Sequence, residues 1–247
     1  MRFQRLLFAA TALVAIGVAA PAMALPMVVG GSVTIGDANG NPFTPSPVPA
    51  DANGLSSGVG FRLNGGSATN ASAGMFVLNY THDVPSSSGS SWTQFLSFCL
   101  EPDVFLTPFS NPYEVMSISG AGYNDLLVSE LWGRYRSLID TDTEAAAFQV
   151  VLWELSFGVT DRNLATGAFA LTSPGSAVGV LASSWLGSLN GTGPMASGLV
   201  VLVNNQNLAD RQDLITQGSV GVPEPATIGL LGLGLLGVGL ARRRRTA

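Results

Sequence analysis

The chain has 247 residues, 47% hydrophobic and only 11% charged, with a net charge of −5, one cysteine, one histidine and no lysine. Those counts exclude a zinc-type centre built from His and Cys, which needs three or four such ligands. They also argue against nucleic acid as a partner, because that binding rests on clustered cations meeting phosphates and the only cluster here is at the extreme C-terminus.

Taken from the N-terminus, Arg2 and Arg5 precede an apolar run from Leu6 to Ala20, and Ala22-Met23-Ala24 then supplies small residues. This is the pattern of a secretory signal peptide over residues 1–24, with Ala22 and Ala24 marking the cleavage site. The exported passenger, residues 25–221, suits one domain or two small ones. It carries fifteen acidic residues against five arginines, a net charge near −10.

Up to about Ala73 the passenger is rich in Gly, Asn, Ser and Pro. Met27 to Ile35 reads as a strand, and Asn41 to Pro49, with four prolines, as an irregular loop. Asp37-Ala38-Asn39-Gly40-Asn41 starts like a calcium loop, but Pro42 stands where the sharp turn needs glycine and Val48 where a bidentate glutamate is required. A turn is the expectation there. Gly74 to Thr81 predicts a largely buried strand, Ser86 to Ser91 a hairpin-like loop, and Trp92 to Leu100 the next strand.

The middle of the chain turns helical. Asn124 or Asp125 can cap a helix through LLVSELWGRYRSLI, with Leu127, Leu131, Tyr135 and Leu138 at helical spacing. Asp140, Asp142 and Glu144 sit at the start of a second helix, EAAAFQVVLWELSFG, where the helix dipole favours carboxylates. Ser173-Pro174 opens a third helix to about Leu189, and Leu199 to Val203 and Arg211 to Val220 read as closing strands. The fold class expected is α+β: a β-sandwich or barrel-like passenger with a small helical subdomain.

For chemistry, His82 is the only candidate base of a hydrolytic triad, and no G-x-S-x-G elbow stands beside it. Carboxylate pairs for glycoside cleavage can be drawn from Asp140, Asp142, Glu144 and Glu154, but the first three already belong at a helix start. Cys99 travels to an oxidising compartment without an intrachain partner. It reads either as a buried, inert thiol or as part of the pair it makes with Gln149, fifty residues on. Gln149 and Trp153 lie at i and i+4, on one face of an apolar helix, and a glutamine there requires a partner.

The run Phe98-Cys99-Leu100-Glu101-Pro102 followed by Phe148-Gln149-Val150-Val151-Leu152-Trp153 resembles the bacterial surface thioester domains. The resemblance covers about residues 74–220. It implies an internal thioester between Cys99 and Gln149, with Trp153 supporting it, and a covalent attachment to amines or hydroxyls of a partner surface. The sequence departs from that pattern at Phe148, where the family commonly has Thr or Ser.

The last 26 residues are the most informative. Val222-Pro223-Glu224-Pro225-Ala226-Thr227 holds an extended, exposed step. From Ala226 to Ala241 there is no charge, and as a helix this span is ~24 Å long, a short transmembrane segment. Arg242, Arg243, Arg244 and Arg245 stop it on the cytoplasmic side. This order of parts resembles the PEP-CTERM sorting signal over residues 222–247. The resemblance implies an exosortase-type transpeptidase and the secretion machinery as partners, transient membrane residence, and release to the cell surface or outside.

The function expected is therefore an exported surface or extracellular-matrix protein, non-enzymatic and without cofactor or metal, with exopolysaccharide or surface amines as candidate partners. The alternative is a covalent adhesin using the Cys99–Gln149 thioester, and a secreted hydrolase stands third.

Overall fold

The computed structural model describes residues 27–36, 53–82, 92–104, 106, 112–157, 161–204 and 212–218. The signal peptide, the Asp37–Asn41 turn, the proline-rich loop, the Ser86–Ser91 loop and the whole sorting tail lie outside them. Among the described residues no helix is long and apolar enough to cross a membrane.

In chain order the elements are β1 (Ser32–Gly36), β2 (Asn53–Leu63), β3 (Thr69–Thr81), β4 (Thr93–Cys99), β5 (Tyr113–Met116), α1 (Asp125–Tyr135), α2 (Asp142–Phe157), β6 (Phe169–Leu171), α3 (Ala177–Ser188), β7 (Leu199–Val203) and β8 (Leu214–Gln217). A 3-10 turn, Arg136–Leu138, follows α1.

Strand β3 is long enough to serve two partners along one edge. Its first part pairs with β2, from Thr69↔Phe61 to Phe76↔Asn53, and its end pairs with β1, from Asn79↔Gly36 to Thr81↔Thr34. Through β1 the order β1-β5-β7-β8-β4-β3 closes on itself, leaving β2 and β6 as a flap extending from β3. The result is a closed antiparallel barrel plus three helices. Closure removes the open edges of those six strands, and β6 remains the edge of the flap.

Strand alternation then sorts the side chains into two cores. One face of each barrel strand points inward, and Val33, Ile35, Leu78, Tyr80, Phe95, Tyr113, Val115, Val200, Leu202 and Leu214 fill the interior. The opposite face of β4, β7 and β8 gives Phe98, Val201 and Ile215 to a larger core shared with the helices. Helix α2 is its centre: every residue from Ala145 to Leu155 is buried, as expected of a helix apolar all round. Phe98 meets Phe148 at 4.7 Å between ring centroids, and Trp153 meets Phe61 at 5.6 Å. Each such ring contributes roughly 1.5–3 kcal/mol by burial.

The middle of the chain is helical as expected, but the first helix ends at Tyr135 rather than running to Ile139: the chain tightens into the 3-10 turn and leaves Leu138 exposed. Asn124 caps α1 by accepting the Leu127 N–H, and Leu199–Val203 is strand β7 with the bounds expected. The third helix starts later than Ser173-Pro174, at Ala177, because Ser176 is its N-cap. The first strand is shorter than expected: Gly31 N–H turns back to the Val28 carbonyl, so β1 starts only at Ser32. Strands β2, β5 and β6 lie in regions to which the sequence assigned no strand. In β2 the reason is packing: a Cβ on Gly60 would collide with the Thr172 hydroxyl. Small residues let β2 lie close to β6 and the residue after it, and leave little β-propensity to read. The elements before residue 74 belong to the same sheet as those after it.

Candidate functional site

The register of β4 explains why Cys99 and Gln149 meet. β3 and β4 stay paired from Tyr80↔Thr93 only to Phe76↔Ser97. Two residues further, the Cys99 backbone groups on the β3 side have no strand partner. Gln149, fully buried on α2, supplies one: the Cys99 N–H donates to Gln149 Oε1 at 2.9 Å, and Gln149 Nε2 donates to the Cys99 carbonyl at 2.7 Å. The side-chain amide thus stands in for the missing stretch of strand and meets the requirement that buried polar groups be paired. It also locks α2 onto the barrel.

Cys99 is a free, buried thiol. Burial, and secondarily the Glu101 carboxylate, push it well above the ordinary thiol value, so it is held as S–H. Trp153 lies one turn beyond Gln149 against Phe61 and Phe169. Phe148, where the sequence departs from the thioester-domain pattern, is clasped between Phe98 and Trp132.

The remaining candidates separate. Thr141 and Glu144 form a reciprocal N-terminal cap: Glu144 Oε2 accepts the Thr141 and Asp140 N–H groups, and the Thr141 hydroxyl accepts the Glu144 N–H. Asp142 accepts the Ser56 N–H. These carboxylates start α2, while Glu154 lies near its other end, ~15 Å away along the helix. They do not form a facing pair. His82 is exposed, its ring edge-on to Tyr80 at 5.6 Å. Among the described residues no group of three or more His, Cys, Asp or Glu could hold a metal ion.

Glu154 is fully buried, with Oε1 accepting the Asn163 N–H at 3.1 Å and Oε2 without a partner. Burial first, and the neighbouring Asp161 charge second, push its carboxyl up to about 8. The folded state therefore holds a proton that the unfolded chain releases in the ordinary carboxylate range, and stability falls as pH rises from there to about 8. Replacing Glu154 with Gln should flatten that slope, so the stability of the variant relative to the parent rises by a few kcal/mol between pH 5 and pH 9, on the order of 1.4 kcal/mol for each pH unit by which the carboxyl is raised, before discounting for partial solvation. Denaturation midpoints at pH 5 and pH 9 check this; equal pH slopes would contradict it.

Sequence reasoning passed over Glu130, which it read only as part of a helix. Its carboxylate is fully buried and accepts the N–H groups of Asn190, Gly191 and Gly193 as well as the Arg134 guanidinium. Burial pulls its pKa up, but the bonds from Gly191, Arg134, Asn190 and Gly193 outweigh that and hold it below the usual carboxylate range. The only local sign was the i,i+4 spacing to Arg134.

Compared with known proteins, the chain matches a family model described as the PEP-CTERM protein-sorting motif, over residues 221–245. The motif implies handling by an exosortase, with export and a C-terminal membrane anchor before processing. No curated protein and no solved structure matches the chain.

Proposed function

Starting from a chain that carries a PEP-CTERM protein-sorting motif at residues 221–245, we propose an exported, non-enzymatic protein of the cell surface or extracellular matrix. Its barrel is the cargo and its tail an address that an exosortase-type transpeptidase removes. The sorting match is the observation that carries this reading. The Pro223-Glu224-Pro225 sequence just before the apolar span favours an extended step by the steric rule for residues preceding proline, the form in which a membrane transpeptidase can grip a chain. Fractionation of the producing cells tests it. The passenger should appear outside the inner membrane without its last residues, and a triple substitution of Pro223, Glu224 and Pro225 by Ala should leave the chain uncut in that membrane. Surface display of the variant at the level of the parent would refute the reading.

A second reading is favoured by one observation: the Gln149 amide is held against Cys99 by two hydrogen bonds. In a thioester-forming step the Cys99 sulfur would add to the Gln149 side-chain carbonyl carbon. The C–N bond would break, and ammonia would leave with the thiol proton. The Cys99 N–H already donates to the oxygen that would carry negative charge. A partner amine or hydroxyl would then take the acyl group and return the thiol. The raised thiol opposes the first step, which favours the unreactive form. Intact mass decides between them: ring closure lowers the mass by ~17 Da and Cys99→Ala removes the loss, whereas the unreactive protein shows its full mass and takes up no methylamine.

A further inference from the structure

Strands β4 and β8 are paired only from Cys99↔Leu214 to Ser97↔Thr216. Beyond that point β4 continues along β3 and β8 along β7, so the barrel seam splits. The Leu96 carbonyl is held there by the Thr216 hydroxyl at 2.6 Å. The split opens a cleft of about 510 Å³, within the range of small-ligand sites. Its lining reaches from barrel residues, Phe95 among them, to Trp132 and Arg136 at the end of α1. Leu96 is 37% exposed at its wall, and the amides of Gln94 and Gln217 stand among its polar groups.

Arg136 is the unusual member. Its guanidinium lies 5.9 Å over the Phe98 ring and 3.3 Å from the Met75 sulfur. Among the described residues it has no carboxylate partner, although the passenger carries three acidic residues for each arginine. Burial pulls it below the ordinary arginine value, and a guanidinium keeps its charge in proteins. A half-desolvated cation without a carboxylate partner gains from an anionic acceptor.

We propose that this cleft binds a carboxylate-bearing sugar, a uronate unit of an acidic polysaccharide. The carboxylate pairs with Arg136, the apolar face of the ring lies on the Leu96–Trp132 wall, and the ring hydroxyls meet Gln94 and Gln217. A purely apolar ligand leaves Arg136 uncompensated, and a small inorganic anion leaves the apolar wall unfilled. The proposal rests on the matrix-protein reading and names the chemistry of that partner.

Titration calorimetry of the full chain in detergent micelles, with trigalacturonate and with neutral galactotriose as probes, tests it. Trigalacturonate should bind at least tenfold more tightly, less so at high salt. Arg136→Gln should lower that affinity at least tenfold. Gln94→Glu changes an exposed rim residue and should also weaken trigalacturonate by repulsion, so the result does not depend on Arg136→Gln folding. No binding of trigalacturonate, equal binding of the two sugars, or affinities unmoved by Gln94→Glu would overturn the site. Fractionation separates the two readings: normal display without uronate binding sinks this proposal alone, whereas uronate binding by a chain never displayed sinks the proposed function alone.

Discussion

Glu130→Ala is expected to destabilise the folded passenger by about 4 kcal/mol, the scale for breaking a buried charged network by removing one partner. Three backbone N–H groups in the turn after α3 and the Arg134 guanidinium all donate to this one carboxylate. Alanine removes the buried acceptor around which these donors are gathered, although the turn itself lies nearer the surface. For a domain of this size the melting temperature should fall by about 10 °C, and the amides of Asn190, Gly191 and Gly193 should exchange hydrogen faster. Glu130→Gln keeps an acceptor but loses the charge and should cost roughly half as much. The pH dependence has a definite sign. The folded-state pKa is depressed, so the stabilisation is present above the unfolded carboxylate value and is lost as pH falls through the folded one. A Glu130→Ala protein within 1 kcal/mol of the parent at pH 7 would show that the turn is held by other contacts.

The second large effect is expected at Gln149. Gln149→Leu keeps most of the side-chain volume but removes both hydrogen bonds to Cys99. It leaves a buried N–H and C=O unpaired, at a cost of about 3 kcal/mol. Cys99→Ala deletes only a sulfur from a packed core and should cost about 1 kcal/mol. A structural amide thus predicts a large loss at 149 and a small one at 99, read from urea unfolding. Comparable losses at the two positions would instead mark them as one covalent unit. Protection of the Cys99 amide from exchange, lost in Gln149→Leu, provides the spectroscopic check.

The two predictions concern residues with different visibility. Gln149 could be singled out because an amide inside EAAAFQVVLWELSFG conflicts with the apolar run around it, and that conflict marks a specific partner. Spacing could not say that the partner is the main chain of Cys99, because that depends on where β3 and β4 separate. Glu130 gave no such sign. A glutamate four residues before an arginine reads as an exposed helix pair, and only the return of the turn at 190–193 buries it.

The sequence by itself determined the sorting tail, the three helices and strands β3, β4, β7 and β8. Those features are local: a contiguous order of proline step, apolar span and arginines, a cap such as Asn124, or an apolar period. Only the tertiary structure decided that β1 closes the barrel on β3, that the glycine-rich stretch before residue 69 forms β2, and that the seam between β4 and β8 opens beside Arg136. The physical reason is the same for all three. Strand pairing, close backbone approach and desolvation of a charge depend on residues far apart in the chain, and one sequence read along its length carries no record of which of them will meet.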